Sequence, residues 1–182
     1  MKITYFSHSI TKDNENGIAT GWLDSSLSAE GIRRAEDLHE RIKHRTFDAI
    51  YTSDLKRAIE SADIFFGKHI SKNADQRLRE CNYGSFDGTP ALDFKKGREQ
   101  EYIDIPYPDG ESYLDVELRI KDFLNDAVKK YPNGHIAIVA HQAPQLALEV
   151  LLNRKTWKQS IETDWRKTQA WQPGWEYTFS VL

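Results

Sequence analysis

The run HIAIVA, residues 135–140, constrains this chain more than any other stretch. After His135 every residue is apolar, and Ile136, Ile138 and Val139 are β-branched. Such a segment asks for burial on both faces, which a strand finds inside a sheet covered on both sides. It is followed by PQLALEVLL, which reads as a helix with Pro144 in its first turn. The same strand-to-helix rhythm recurs along the chain. KITYFS (2–7) reads as a first strand. Ser28 is a plausible N-cap for AEGIRRAEDLHERIKHR, where Ile32, Ala35, Leu38 and Ile42 share a helical face. FDAIYTS (47–53) reads as a second buried strand. DLKRAIESADIFFGK (54–68) follows as a helix with Leu55, Ala58, Ile59, Ala62 and Phe65 inward. YLDVELRIKDFLNDAVKKY (113–131) is amphipathic and stopped by Pro132 and Gly134, and WEYTFSVL closes as a strand. Residues 82–112, rich in Gly, Pro and Asp, read as an irregular excursion. The expectation is one α/β domain over residues 1–182, a mostly parallel sheet with helices on both faces.

A chain of 182 residues buries enough surface to fold without a disulfide or structural metal. Its one cysteine, Cys81, excludes an internal disulfide and fits a reducing compartment. A net charge of −3 argues against a nucleic-acid or membrane-surface partner. No apolar run reaches membrane-spanning length, and the start of the chain lacks a signal-peptide pattern. A cytoplasmic location is expected.

The chemistry-bearing residues lie where strands end. His8 and His141 each follow a buried strand, the place where open α/β sheets bind ligands. If those strands are neighbours, the two imidazoles face one crevice. Arg57 sits in the first turn of a helix, where free N–H groups and a guanidinium both suit phosphate oxygens. Glu80 precedes a Gly-containing turn and has Arg77 and Arg79 as alternative surface partners. Together these residues can supply a nucleophile, an anion clamp and an acid. A metal-hydrolase ligand set (His8, His141, Glu80) is a minor alternative, since no His-x-x-x-His helix pattern supports one. His39, His44, His69 and His135 read as solvated or turn residues. The tryptophans at 157, 165, 171 and 175 fit core or interface packing better than a substrate mouth. Segment 95–112 suits a lid, with Arg98, Tyr102 and Ser112 as candidate contacts.

Five stretches in order resemble the histidine phosphatase superfamily, which contains the phosphoglycerate mutases and many small phosphatases. SHSITKDN (7–14) stands where the family has Arg-His-Gly-x-Thr-x-x-Asn. GWLDSSLSAEGIRRAEDL, FDAIYTSDLKRAIESA, LRECNYGSFDG with PDGESYLDVELRIKDFL, and IAIVAHQAP correspond to the later blocks. The resemblance implies a phosphoglycerate mutase-like fold over nearly the whole chain. It implies that His8 becomes a phosphohistidine, that Glu80 is the acid, and that His141, Arg57 and Asn14 hold the phosphoryl group. It calls for no metal and no organic cofactor, and it implies a small phosphorylated metabolite as substrate.

Three positions depart from the family. Its arginine before the nucleophile is Ser7, its glycine after it is Ser9, and its glycine after the second histidine is Gln142. These three side chains become candidate neutral donors to substrate, and the site is expected to be one cation short. An arginine restored at position 7 is therefore expected to raise kcat/KM about tenfold. The activity expected is phosphate monoester hydrolysis. A weakened member that binds phosphorylated ligands is the alternative, and a phosphomutase stands behind it because the chain is shorter than the family's mutases. The sequence leaves the oligomeric state open.

Overall fold

The structure, a computed structural model, describes residues 1–93 and 99–180. In chain order its elements are β1 (Lys2–Ser7), α1 (Lys12–Glu15), α2 (Ala29–Ile42), β2 (Ala49–Thr52), α3 (Lys56–Phe66) and β3 (Asn73–Ala74). Short 3-10 turns occupy the middle, including Glu99–Tyr102. Then come α4 (Tyr113–Lys130), β4 (His135–Ala140), α5 (Gln142–Asn153), α6 (Trp157–Glu162), α7 (Trp165–Thr168) and β5 (Trp175–Thr178). The five strands form one sheet in the order β3-β2-β4-β1-β5. All neighbours are parallel except β5, which runs antiparallel to β1.

Alternation along the strands builds two cores. Ile3, Tyr5, Ile136 and Ile138 pack with residues of α4 and α5. Phe6, Ala137 and Val139 pack with Ala35, Leu38 and Ile42 of α2 and with Ala62 and Phe65 of α3. This is the two-sided cover that the HIAIVA run demands. No helix among the described residues is long and apolar enough to cross a membrane.

Two sequence expectations shift by one side chain, for a shared reason. Ser28 caps α2, its hydroxyl accepting from the Gly31 N–H at 3.0 Å. Yet Ile32 is 43% exposed, and Gly31 takes the buried stripe with Ala35, Leu38 and Ile42. The chain after β1 presses on Gly31: a Cβ there would lie 1.9 Å from the Ile10 carbonyl oxygen. On α3, Ile59 is partly exposed, and Arg57 and Ser61 are buried alongside Ala58, Ala62 and Phe65. Ser61 holds the same loop, accepting from the Ser9 N–H at 2.9 Å. Both helices therefore turn a small or polar residue toward the loop that carries His8.

Candidate active site

β1 and β4 pair in parallel, with Ser7 opposite Ala140. The next residue on each strand is a histidine, so the register alone brings His8 and His141 together. Their ring centroids are 5.0 Å apart. The His8 N–H also donates to the Ala140 carbonyl at 2.9 Å, which extends the pairing by one residue.

His8 has a defined tautomer. Its Nδ1 lies 2.7 Å from the Ser9 carbonyl oxygen, which can only accept, so Nδ1 carries a proton and the neutral ring has its lone pair on Nε2. His141 is fully buried. Neither of its ring nitrogens has a hydrogen-bond partner among the described residues. Burial pushes its pKa well below the usual histidine value, and the positive charge of Arg57, of His8 when it is protonated, and of Arg119 and Arg166 pushes the same way. It is a neutral imidazole at neutral pH. The Tyr5 hydroxyl fixes its backbone, donating to the His141 carbonyl at 2.6 Å.

Glu80 comes from the loop before the middle segment and reaches the start of α5. Its Oε1 accepts from the N–H groups of Cys81 at 2.9 Å and Ala143 at 2.8 Å, and its Oε2 from that of Gln142 at 3.1 Å. Oε2, with a single bond, is the oxygen with room for a proton. The Glu80 carbonyl accepts from Trp22 Nε1 at 2.8 Å and Arg119 Nη2 at 2.9 Å. The surface partners considered for Glu80 are occupied elsewhere: Arg77 pairs with Asp75, Asp122 and Asp126, and Arg79 with Asp54.

Asn14 lines one cavity with His8, Glu80, Ser7, Ser9, Gln142, Trp165 and Arg166, about 280 Å³ in volume. Its Oδ1 accepts from the Thr11 N–H in a capping box, which leaves its NH2 as the donor end. Arg57 is 2% exposed and lies outside that lining. Its Nη2 donates to the Gly21 carbonyl at 2.7 Å and its Nη1 to that of Leu23 at 3.0 Å. Burial draws its pKa down, while the negative charge of Glu80 opposes the shift. Arg57 and His141 thus form a buried floor beneath His8.

The sequence profile of the histidine phosphatase superfamily (branch 1) matches residues 6–172. The chain belongs to this superfamily. It is 30% identical over 142 residues to the zebrafish (Danio rerio) protein named probable fructose-2,6-bisphosphatase TIGAR A, covering 73% of this chain and 56% of that one. It is 30% identical over 172 residues to the phosphoglycerate mutase of Schizosaccharomyces pombe, covering 86% of this chain and 82% of that one. The native structure of mycobacterial glucosyl-3-phosphoglycerate phosphatase superposes with a TM-score of 0.76 at 25% identity, covering 88% of this chain and 83% of that one. Phosphatases and mutases thus both stand among its relatives.

In this superfamily member the three atypical positions have distinct placements. Ser9 Oγ donates to the Gly31 carbonyl at 2.6 Å, so its proton is committed to α2. The Gln142 carboxamide donates from Nε2 to Asp164 Oδ2. Ser7 Oγ accepts from Arg166 Nη2 at 3.1 Å. Positions 7 and 142 therefore both touch the short stretch Asp164–Arg166. Sequence reading passed over Arg166, because no spacing links a residue in a polar C-terminal stretch to β1.

A second, larger cavity of about 420 Å³ shares Ser7, His8, Ser9, Ile10 and Trp165 with the first and continues along α2 past Arg33, Arg34, Asp37 and Arg41 to Trp171. Arg33 pairs with Glu30 and Asp37, and Arg34 with Glu30. The Arg41 guanidinium stacks over Trp171 at 5.3 Å. Of the tryptophans, Trp157 is buried and stacks on Tyr113, and Trp165 stacks on Trp175 while also lining the cavity; Trp171 lines the cavity and is exposed, which corrects the expectation of packing for that one. The proposed lid contacts are also corrected. Tyr102 is buried and stacked 3.8 Å from Tyr107, and Ser112 is the buried N-cap of α4. Arg98 and residues 95–97 lie outside the described residues. No group of three or more His, Cys, Asp or Glu side chains among the described residues is placed to hold a metal ion.

Proposed function

We propose that this chain is a phosphate monoester hydrolase working through a phosphohistidine on His8. The observation that carries the reading is the His8 tautomer: Nδ1 is bound to the Ser9 carbonyl, and the nucleophilic lone pair is on Nε2 in a cleft shared with Glu80. Nε2 attacks phosphorus while the bond to the leaving oxygen breaks, and Glu80 Oε2 passes its proton to that oxygen. Water then attacks the phosphohistidine, giving its proton to Glu80 and releasing inorganic phosphate and free His8. The neutral His141 N–H and the Asn14 NH2 donate to equatorial oxygens, and Arg57 adds positive charge from the floor.

The leaving-group side supports a small anionic metabolite. Three arginines and two tryptophans line the larger cavity against one carboxylate, Asp37. Arg41 is held by an indole and makes no ion pair among the described residues, which suits a second carboxylate or phosphate on the substrate.

The test is a panel of phosphate monoesters, with and without a second anionic group, assayed with wild type and His8→Ala. The expected result is turnover that disappears in His8→Ala, acid-labile phosphate on the wild-type protein, and lower KM for the anionic leaving groups. Phosphorylated ligands that bind without turnover or phosphohistidine would replace this reading with that of a phospho-ligand binder. Transfer of the phosphoryl group to a second acceptor in preference to water would replace it with a mutase.

A further inference from the structure

A phosphoryl group held by His8 brings two negative charges into a cleft that already contains the Glu80 carboxylate. His141 is kept neutral by its surroundings, and Arg57 lies beneath the lining with two of its nitrogens bound to loop carbonyls. Among the described residues that line the His8–Glu80 cavity, Arg166 is the cation.

Its place is over-determined. Nη1 donates to Asp164 Oδ1 at 3.0 Å and to Gln145 Oε1 at 3.2 Å, and Nη2 donates to the same Gln145 oxygen at 3.2 Å. The guanidinium stacks over the Trp165 ring at 4.4 Å, and that indole is itself pinned by donating to Gln145 at 3.0 Å. Asp164, whose side chain is 1% exposed, is the counter-ion. A surface arginine left to solvent would not need four such contacts. What this scaffold presents to the cleft is the remaining Nη2 bond, to Ser7 Oγ.

That bond fixes what Ser7 can do. Its oxygen accepts from Arg166, so its hydroxyl proton is the group left to donate, and Ser7 lines the cavity beside His8. A hydroxyl that accepts from a cation is a stronger donor than one that does not. We infer that Arg166 and Ser7 act as one phosphate-holding unit, Arg166 supplying the charge from the C-terminal segment and the Ser7 hydroxyl delivering the hydrogen bond to a phosphoryl oxygen on or approaching His8. Arg166 is in this sense a positioning residue for Ser7 and an electrostatic partner of the anion. The inference rests on the phosphoryl-transfer reading of the cleft.

The experiment measures inorganic phosphate binding by calorimetry, and kcat/KM on p-nitrophenyl phosphate, for wild type, Arg166→Ala, Ser7→Ala and the double variant. Arg166→Ala is expected to weaken phosphate binding and lower kcat/KM by about ten- to a hundredfold, and Ser7→Ala by about three- to tenfold. The double variant should be no worse than Arg166→Ala alone, since the two act as a unit. Added guanidinium should restore part of the Arg166→Ala loss, which a purely structural role does not predict. If Arg166→Ala fails to fold, Arg166→Gln keeps the bulk without the charge and is expected to show the same loss. A folded Arg166→Ala or Arg166→Gln protein with wild-type phosphate affinity overturns the inference. So does additive loss in the double variant. Phosphate binding needs no turnover, so an inactive wild type whose phosphate affinity depends on Arg166 would refute hydrolysis while upholding the clamp.

Discussion

Arg166 Nη2 donates to Ser7 Oγ at 3.1 Å, across 159 positions of sequence. The two residues stand side by side because the C-terminal segment folds over the open end of β1 and β4. Seen from the sequence, Ser7 leaves the site short of a cation. In the fold, a cation from another segment stands against it.

This reverses the expectation for Ser7→Arg. A second guanidinium at position 7 meets Arg166 at contact distance with like charge, and competes with it for the place beside His8. The expected outcome is a kcat/KM below wild type and a lower melting temperature from the like-charge contact, in place of a tenfold gain. Combining Ser7→Arg with Arg166→Ala removes the clash and should recover activity above the Ser7→Arg level. Steady-state kinetics and thermal melts on the four proteins check both parts.

Glu80 has a structural duty beside the acid role proposed for it. Its carboxylate accepts three backbone N–H groups, two of them at the start of α5. Glu80→Ala leaves those donors without the acceptor and should cost about 2–3 kcal/mol of stability. Glu80→Gln keeps one acceptor oxygen and should cost less. As the acid, Glu80 matters most when the leaving oxygen is basic. Both variants should therefore lose more kcat on an alkyl phosphate than on p-nitrophenyl phosphate, and an equal loss on the two would leave only the capping role.

His141 makes stability depend on pH. Its folded pKa is depressed by burial first and then by Arg57, His8, Arg119 and Arg166. The unfolded chain binds a proton at this histidine below about pH 6.5, and the folded chain resists it. The contribution is complete above that pH and is lost progressively as pH falls below it. Melting temperatures of wild type and His141→Gln should show the wild type losing more between about pH 7.5 and about pH 5.5. Parallel curves would mean that His141 is not the group responsible.

Gly31→Ala tests the seat of the loop that carries His8. Alanine favours the helix by up to about 1 kcal/mol, but its Cβ would sit 1.9 Å from the Ile10 carbonyl oxygen. The loop must move, and with it the Gly31 carbonyl that holds Ser9 and the Ser9 carbonyl that sets the His8 tautomer. A net loss of about 1–3 kcal/mol and a fall in kcat/KM are expected from melts and kinetics.

Local pattern by itself determined β1 and β4 to the residue, the Ser28 cap of α2, and the position of both histidines just past strand ends, because apolar runs and capping residues act over a few positions. The family came instead from the resemblance of five ordered stretches, which the profile match over residues 6–172 bears out. Local pattern misjudged Ile32 and Ile59, where a distant loop rather than the helix's own periodicity chose the buried face. Strand order was decided by the tertiary structure: only the pairing of β1 with β4 turns two separate histidines into one site. The same holds for Glu80 at the start of α5 and for Arg166 beside Ser7. A charge acts through space over several ångströms, and nothing in a sequence records which remote side chain the folded chain will bring within that range.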